Sequence, residues 1–263
     1  FIDGGVTAAQ GFSAAGVHCG IRRNKSKRDL ALIASSVPCN AAGIYTLNKV
    51  KGAPILVTKR NLQNGIAQAI ICNSGNANTC NADGEEKAWR MCEIAGQALN
   101  LEPSDIIVAS TGVIGEILPI EPIEQGTPEA AKLLNPFGSS DAADAIMTTD
   151  TVRKEVAVEL ELGGKTVRIG GIAKGSGMIH PNMGTMLSFL TTDAAVSTPM
   201  LQKALQAAAD KSFNMVSIDG DTSTNDMVAI MANGLAGNPM VTADSAEWGV
   251  FVEALQTLCT TMA

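Results

Sequence analysis

The stretch Lys174-Gly175-Ser176-Gly177-Met178-Ile179-His180-Pro181-Asn182-Met183-Gly184-Thr185 puts a lysine, a histidine and a threonine hydroxyl into one short segment. Gly175 and Gly177 free the backbone for φ > 0 and for close approach of other groups, and Pro181 disfavours helix at His180, so the segment reads as a constrained loop. Thr185 stands where that loop meets an apolar run, Met186, Leu187, Phe189 and Leu190, which reads as a buried strand. A threonine hydroxyl becomes a nucleophile only when a base takes its proton. One such base is the threonine's own α-amine, once the bond before it has been broken. Gly184 has no Cβ, which leaves its carbonyl open to attack by the hydroxyl of Thr185. The chemistry on offer is a self-processing Gly184–Thr185 bond that releases an N-terminal threonine; the alternative is a Gly-Thr step in a turn that enters a strand.

Three other polar clusters follow an apolar run or a helical segment. Ser110-Thr111-Gly112-Val113-Ile114-Gly115 can set a side-chain hydroxyl beside a backbone N–H, which is what an oxyanion hole requires; in isolation it reads as a turn capped by Thr111. Thr148-Thr149-Asp150-Thr151 either ends a helix or holds a small polar substrate with its hydroxyls. Asn73-Ser74-Gly75-Asn76-Ala77-Asn78 is a tight turn or an amide-rich pocket wall. Lys174 is placed to stabilise an anion or to tune a hydroxyl, whereas Lys174-Gly175-Ser176-Gly177 lacks the order of a phosphate-binding loop. A calcium loop starting at Asp219 would need its twelfth-position glutamate where Ile230 stands, so residues 219–226 read as a polar turn. With only His18 and His180, a histidine-based nucleophile system has few candidates, which favours an amine as base.

The elements that must hold these residues come from apolar patterning. Strands are expected at 29–35 with an extension at 41–45, and at 54–57, 67–72, 106–109, 186–190 and 215–218. A hairpin runs from 155–162 through Gly163-Gly164 into Val167 and Ile169. Helices are expected at 85–100, 140–147, 227–234 and 248–262 and from Thr198 to Asp210, with a short helix or turn at 59–65 and a loop plus a short helix at 119–134. A chain of 263 residues, 46% hydrophobic, can bury a substantial core as one large domain or two smaller ones.

The formal charge is −7, and the basic residues Arg22, Arg23, Lys25, Lys27 and Arg28 form one cluster without interleaved aromatics, read as a solvated loop; nucleic acid is not an expected partner. No apolar run approaches the roughly 18 residues of a membrane span, and the first residues show no export signal. The six cysteines, Cys19, Cys39, Cys72, Cys80, Cys92 and Cys259, form no C-x-x-C pair and read as reduced thiols, in keeping with the cytoplasm.

Taken together, Asn73–Asn78, Ser110–Gly115, Met147–Thr151 and above all Lys174–Leu187 resemble the ornithine acetyltransferase family of arginine biosynthesis, also called bifunctional glutamate N-acetyltransferases. The resemblance runs from Gly4-Gly5-Val6-Thr7 to Asn233-Gly234-Leu235-Ala236-Gly237. It implies an α/β protein with a layered α-β-β-α fold of the N-terminal-nucleophile type, divided at the cleavage site into an N-terminal subunit, 1–184, and a second subunit, 185–263, shorter than the family's. Residue by residue, Thr185 would be the nucleophile, with its freed amine as general base. The Thr111 hydroxyl and the Gly112 N–H would form the oxyanion hole, and Thr148, Lys174 and Thr185 would contact substrate. The implied reaction is a ping-pong transfer in which N-acetylornithine acetylates Thr185, ornithine leaves, and glutamate takes the acetyl group. No metal or cofactor is implied, acetyl-CoA serves some members as donor, and the two cleaved pieces would associate as a heterotetramer.

Two departures stand out. Gly184 replaces the family's usual alanine, and the family's substrate-contacting glutamate, asparagine and threonine of the second subunit have no counterpart here. Two rivals are an N-terminal-threonine aminopeptidase or amidase, in which water accepts the acyl group, and an inactive fragment that only binds a small amino acid.

Overall fold

Leu30, Ala31, Leu32 and Ile33 are consecutive and all buried. In an extended chain their side chains alternate between faces, so the strand that carries them needs cover on both sides. The fold supplies it. A computed structural model describes residues 1–177 and 186–263. The long strand is β2 (Leu30–Tyr45), preceded by β1 (Phe12–Val17) and followed by β3 (Ile66–Asn76), β4 (Ile106–Val113), β5 (Lys154–Leu162), β6 (Lys165–Lys174), β7 (Leu187–Thr192) and β8 (Met227–Ala232). They pair in the order β4-β3-β2-β8-β7-β6-β5, with β1 on β2.

A bulge between Ala34 and Cys39 lets β2 serve two sheet halves. Its first part, 30–34, lies between β1 and β3, and its second part, 40–45, pairs with β8. The halves face each other across a central core that holds Ala31, Ile33, Ile70, Ile107, Phe189, Ala229 and Met231. Fully burying one such side chain contributes about 1.5–3 kcal/mol. Beneath the outer face of the first half, Leu30, Leu32 and Ile71 meet α1 (Ala53–Asn61), α2 (Gly84–Leu99) and α3 (Glu121–Leu133). Outside the second, Val228, Ile230 and Leu190 meet α5 (Thr198–Asp210) and α6 (Trp248–Met262). The result is the layered α-β-β-α sandwich, with α4 (Ser139–Ile146) adding Ala142, Ala143, Ala145 and Ile146 to the central core. Among the described residues no helix is long and apolar enough to cross a membrane.

Most expected elements form, and the hairpin β5–β6 keeps its expected face, with Val158 and Leu162 buried beside Val156 and Leu160. Four segments differ. Pro54-Ile55-Leu56-Val57 is not a strand but the start of α1: Pro54 occupies the first turn, where its missing N–H costs nothing, and Ala53, Val57 and Asn61 recur at the helical spacing. Thr58 pins that helix to β4, donating to the Val108 carbonyl at 2.7 Å and accepting its N–H at 2.9 Å. In place of a loop and a short helix, α3 runs 13 residues through Pro128, held by the buried face of Ile123, Gly126, Thr127 and Ala130. Residues 215–218 form no strand: Phe213–Met215 is one 3-10 turn, and Met215 and Ile218 are exposed. The expected helix at 227–234 is strand β8, central between β2 and β7 and buried on both faces. A short run that is apolar all round has no periodicity to separate helix from strand.

Candidate active site

Strand register gathers the chemistry at one end of the sandwich. Lys174, the last residue of β6, lies opposite Leu187, the first of β7, which in turn lies opposite Met227, the first of β8. In the other half Asn73, Ser74 and Gly75 of β3 run beside Ser110, Thr111 and Gly112 of β4.

Residues 110–113 are therefore strand and not a capped turn. Thr111 is buried, and Gly112 is exposed with φ +138°, a conformation that L side chains rarely adopt. A Cβ at Gly112 would run into the backbone of the neighbouring strand, 2.5 Å from the Asn76 nitrogen and 2.6 Å from the Gly75 oxygen. Glycine is the one residue that lets β3 and β4 approach here. The amide-rich segment 73–78 braces this corner. Asn73 accepts from Ser110 Oγ at 2.6 Å and donates to the Asn76 carbonyl, Asn76 Oδ1 accepts the Asn78 N–H at 2.7 Å, and Asn78 Nδ2 donates to Gly84.

Thr148 and Lys174 are joined through a carboxylate that motif reading left aside. Asp150 Oδ2 accepts the Thr148 N–H at 3.0 Å and Oδ1 accepts the Gly175 N–H at 2.6 Å, so the 148–150 turn is fastened to the chain one residue past Lys174. Thr149 Oγ1 and Ser176 Oγ are 2.6 Å apart, a second tie between the same segments. The Lys174 side chain is 2% exposed. Burial pushes its pKa down; Asp150, Cys72 and Asp226 pull it the other way, and Arg22 adds to the lowering, so the net direction is downward for an amine in a nearly dry corner. Asp226, also buried, shows the reverse. Burial raises its carboxyl to about 7, against the downward pull of the Met186 N–H, Ser223 and Lys174.

The basic cluster divides. Lys25 and Lys27 are exposed as expected, but Arg22 is half-buried and its guanidinium donates to the Met147 carbonyl, beside Thr148. The buried carboxylate of Asp29 makes this possible by accepting the N–H groups of Cys19 (2.6 Å), Gly20 (3.2 Å) and Arg22 (2.8 Å). His18 belongs to the same loop, with Nδ1 3.3 Å from Asp29 Oδ2. The thiols of Cys72, Cys92 and Cys259 are each pushed up to about 12 by burial, which removes them as nucleophiles.

Gly184, Thr185 and His180 lie outside the described residues, so the expected nucleophile and cleavage site are represented by their neighbours. Met186 is held on both sides: its N–H donates to Asp226 Oδ1 at 2.9 Å and its carbonyl accepts from the Met227 N–H at 3.0 Å. Thr111 and Gly112 share no direct hydrogen bond with Thr148 or Lys174 in the structure. One link between the halves is Asn225, whose Nδ2 donates to the carbonyls of Ser110 at 2.9 Å and Ala77 at 2.6 Å. Asn225, Asp226, Asp150, Arg22 and Asp29 are the polar residues of this region that motif reading missed. The polar run 219–226 signalled a turn, and only strand register shows that its last two residues reach the site. Among the described residues no group of three or more His, Cys, Asp or Glu side chains is disposed to hold a metal ion.

The α-β-β-α sandwich, with a buried lysine, an obligate glycine and a threonine hydroxyl at one end, is the layered fold shared with proteins of the Ntn hydrolase fold. The l-aminopeptidase d-ala-esterase/amidase of Ochrobactrum anthropi, a variant of the Ntn hydrolase fold, matches 98% of this chain and 84% of its own with a TM-score of 0.58; at 12% identity this is a likeness of fold alone. The ArgJ family model matches residues 13–263, and the chain belongs to the ArgJ family. The arginine biosynthesis bifunctional protein ArgJ of Symbiobacterium thermophilum is 54% identical over 97% of this chain and 64% of its own length, so the chain spans less than two thirds of that relative. The ornithine acetyltransferase of Mycobacterium tuberculosis, solved in complex with ornithine, is 33% identical with a TM-score of 0.60, over 70% of this chain and 96% of that one.

Proposed function

We propose that the protein is an acetyltransferase of arginine biosynthesis that cuts itself between Gly184 and Thr185 and then carries an acetyl group from N-acetylornithine to glutamate on Thr185. The observation that carries this reading is the pairing of Gly112, which no other residue can replace, with Thr111 in a member of a family whose relatives are named for this pathway. Self-cleavage begins with attack of Thr185 Oγ on the Gly184 carbonyl carbon. The C–N bond breaks, the nitrogen takes the hydroxyl proton, and water hydrolyses the resulting ester to a Gly184 carboxylate and a free threonine. Cleavage ends one piece at Gly184 and starts a second at Thr185, and the pieces stay associated in a heterotetramer. The solved Mycobacterium tuberculosis chain, matched over 96% of itself, accounts for only 70% of this one, which supports a polypeptide shortened by such a cut.

In each turnover the α-amine of Thr185 takes the Oγ proton, and Oγ attacks the acetyl carbonyl. Negative charge on the carbonyl oxygen is met by the Thr111 hydroxyl and the Gly112 N–H. Ornithine leaves with the proton, and the amine of glutamate then attacks the acetyl-threonine ester. Both amino acids carry an α-carboxylate, and we assign its binding to Lys174 and Thr148; Asp150, which accepts the N–H groups of Thr148 and of Gly175 next to Lys174, supports that assignment. The activity implies the cytoplasm as its compartment.

The test uses the full-length chain with N-acetylornithine, with and without glutamate. Transfer yields ornithine and N-acetylglutamate in equal amounts, with parallel double-reciprocal plots. Acetate in place of N-acetylglutamate identifies the hydrolase, and unchanged N-acetylornithine identifies a binding protein; either overturns the proposal. A parallel reaction with acetyl-CoA shows whether it serves as a second donor.

A further inference from the structure

We infer that Asn225 and Asp226 are positioning residues that fix the distance between the oxyanion hole and the nucleophile. This rests on the assignment of Thr185 and of Thr111–Gly112 given above. The two adjacent side chains reach opposite halves of the sandwich. Asn225 Nδ2 holds the Ser110 carbonyl, one residue before Thr111, and Asp226 Oδ1 holds the Met186 N–H, one residue after Thr185.

Neither side chain is a casual core contact. Asn225 is buried and makes four side-chain hydrogen bonds: two given, to Ala77 and Ser110, and two received at 2.6 Å, from Thr79 Oγ1 and Thr224 Oγ1. Its own N–H is held by Ser223 Oγ at 3.1 Å. The Asp226 carbonyl accepts the Thr46 N–H at 3.0 Å, which ties the same dipeptide to the end of β2. Gly52 closes against it so tightly that a Cβ there would stand 2.5 Å from Asn225 Oδ1. The Asn225 amide has its bonds filled and so admits one arrangement, while Asp226 leaves Oδ2 without a hydrogen-bond partner among the described residues and commits Oδ1 to Met186; together the two side chains span the strands the reaction needs in register. Oxyanion donors act only within about 2.7–3.1 Å of the developing charge, and a displacement of about 1 Å costs on the order of a hundredfold in rate. The polar run 219–226 thus ends in a clamp and is more than a turn.

Self-cleavage of the full-length chain, followed by intact mass over time, tests this, with the parent and Thr185→Ala as references. Asp226→Ala removes the acceptor for Met186 and is expected to cut at least a hundredfold more slowly while its far-UV circular dichroism stays parental. Asp226→Asn presents an oxygen to the same N–H and is expected to recover to within about tenfold of the parent, a rescue that a requirement for the charge would not allow. Gly52→Ala, which removes neither side chain but drives a methyl group against Asn225, is expected to slow cleavage about tenfold, and it carries the test should Asp226→Ala fail to fold. An uncut parent defeats the Thr185 assignment itself. A parent that cuts, with Asp226→Ala or Gly52→Ala cutting at the parental rate or Asp226→Asn as slow as Asp226→Ala, overturns the clamp alone.

Discussion

Gly112→Ala is expected to lower acetyl transfer by at least a thousandfold and the melting temperature by roughly 5 °C. The added methyl meets the Gly75 oxygen and Asn76 nitrogen of the adjacent strand, which are backbone atoms and cannot swing aside as the end of a side chain could. Either β3 and β4 part at this point or the Gly112 peptide rotates away from φ +138°. Each escape moves the N–H that the proposed reaction assigns to the developing oxyanion. Loss of one such donor costs about 10²–10³ in rate, and the neighbouring Thr111 hydroxyl moves with it. Backbone strain of this kind costs about 1–3 kcal/mol, which a chain of this size reads as several degrees. Initial rates and thermal melts on the same preparation check both. A Gly112→Ala protein with parental turnover would remove this residue from the oxyanion hole.

Lys174→Met is expected to reduce kcat/KM by at least a hundredfold, chiefly through KM. The methionine fills a similar volume, so packing at the end of β6 is largely kept. What disappears is the buried amine whose pKa Asp150 and Asp226 pull upward. A substrate carboxylate then enters a corner with two protein carboxyls and no lysine to meet it. Removing one partner of a buried charge pair typically costs 2–5 kcal/mol, and 2.7 kcal/mol is about a hundredfold. Steady-state kinetics with N-acetylornithine varied separates the effects: a fall in kcat at constant KM would place Lys174 on the reacting bond and not on the substrate's carboxylate.

The strands and the ends that carry chemistry were legible because each motif adjoins an apolar run: Ile106–Ala109 leads into Thr111, Val167–Ile172 into Lys174, and Leu187–Leu190 departs from Thr185. Local patterning failed where tertiary cover decides. The run 54–57 has the composition of a strand and the first-turn proline of a helix, and its contact with β4 settles the matter. Residues 227–232 are apolar on every side because β2 and β7 flank them while helices and the opposing sheet half cover their faces, a fact about neighbours distant in sequence. The site splits in the same way. Thr111, Gly112, Thr148 and Lys174 stand out by residue type and by their place at or just past the ends of strands and a helix. Asp150, Asn225 and Asp226 are ordinary polar residues of turns until register brings them against Gly175, Ser110 and Met186, at separations of 25, 115 and 40 residues.

The central claim is that Thr185 becomes an N-terminal nucleophile by cutting its own chain. The most direct measurement is the intact mass of the purified full-length protein beside its Thr185→Ala variant. The parent should give two masses that sum to the chain plus one water and meet between Gly184 and Thr185, and the variant should give one. A parent that stays whole, or a variant that is cut at the same bond, would contradict the claim.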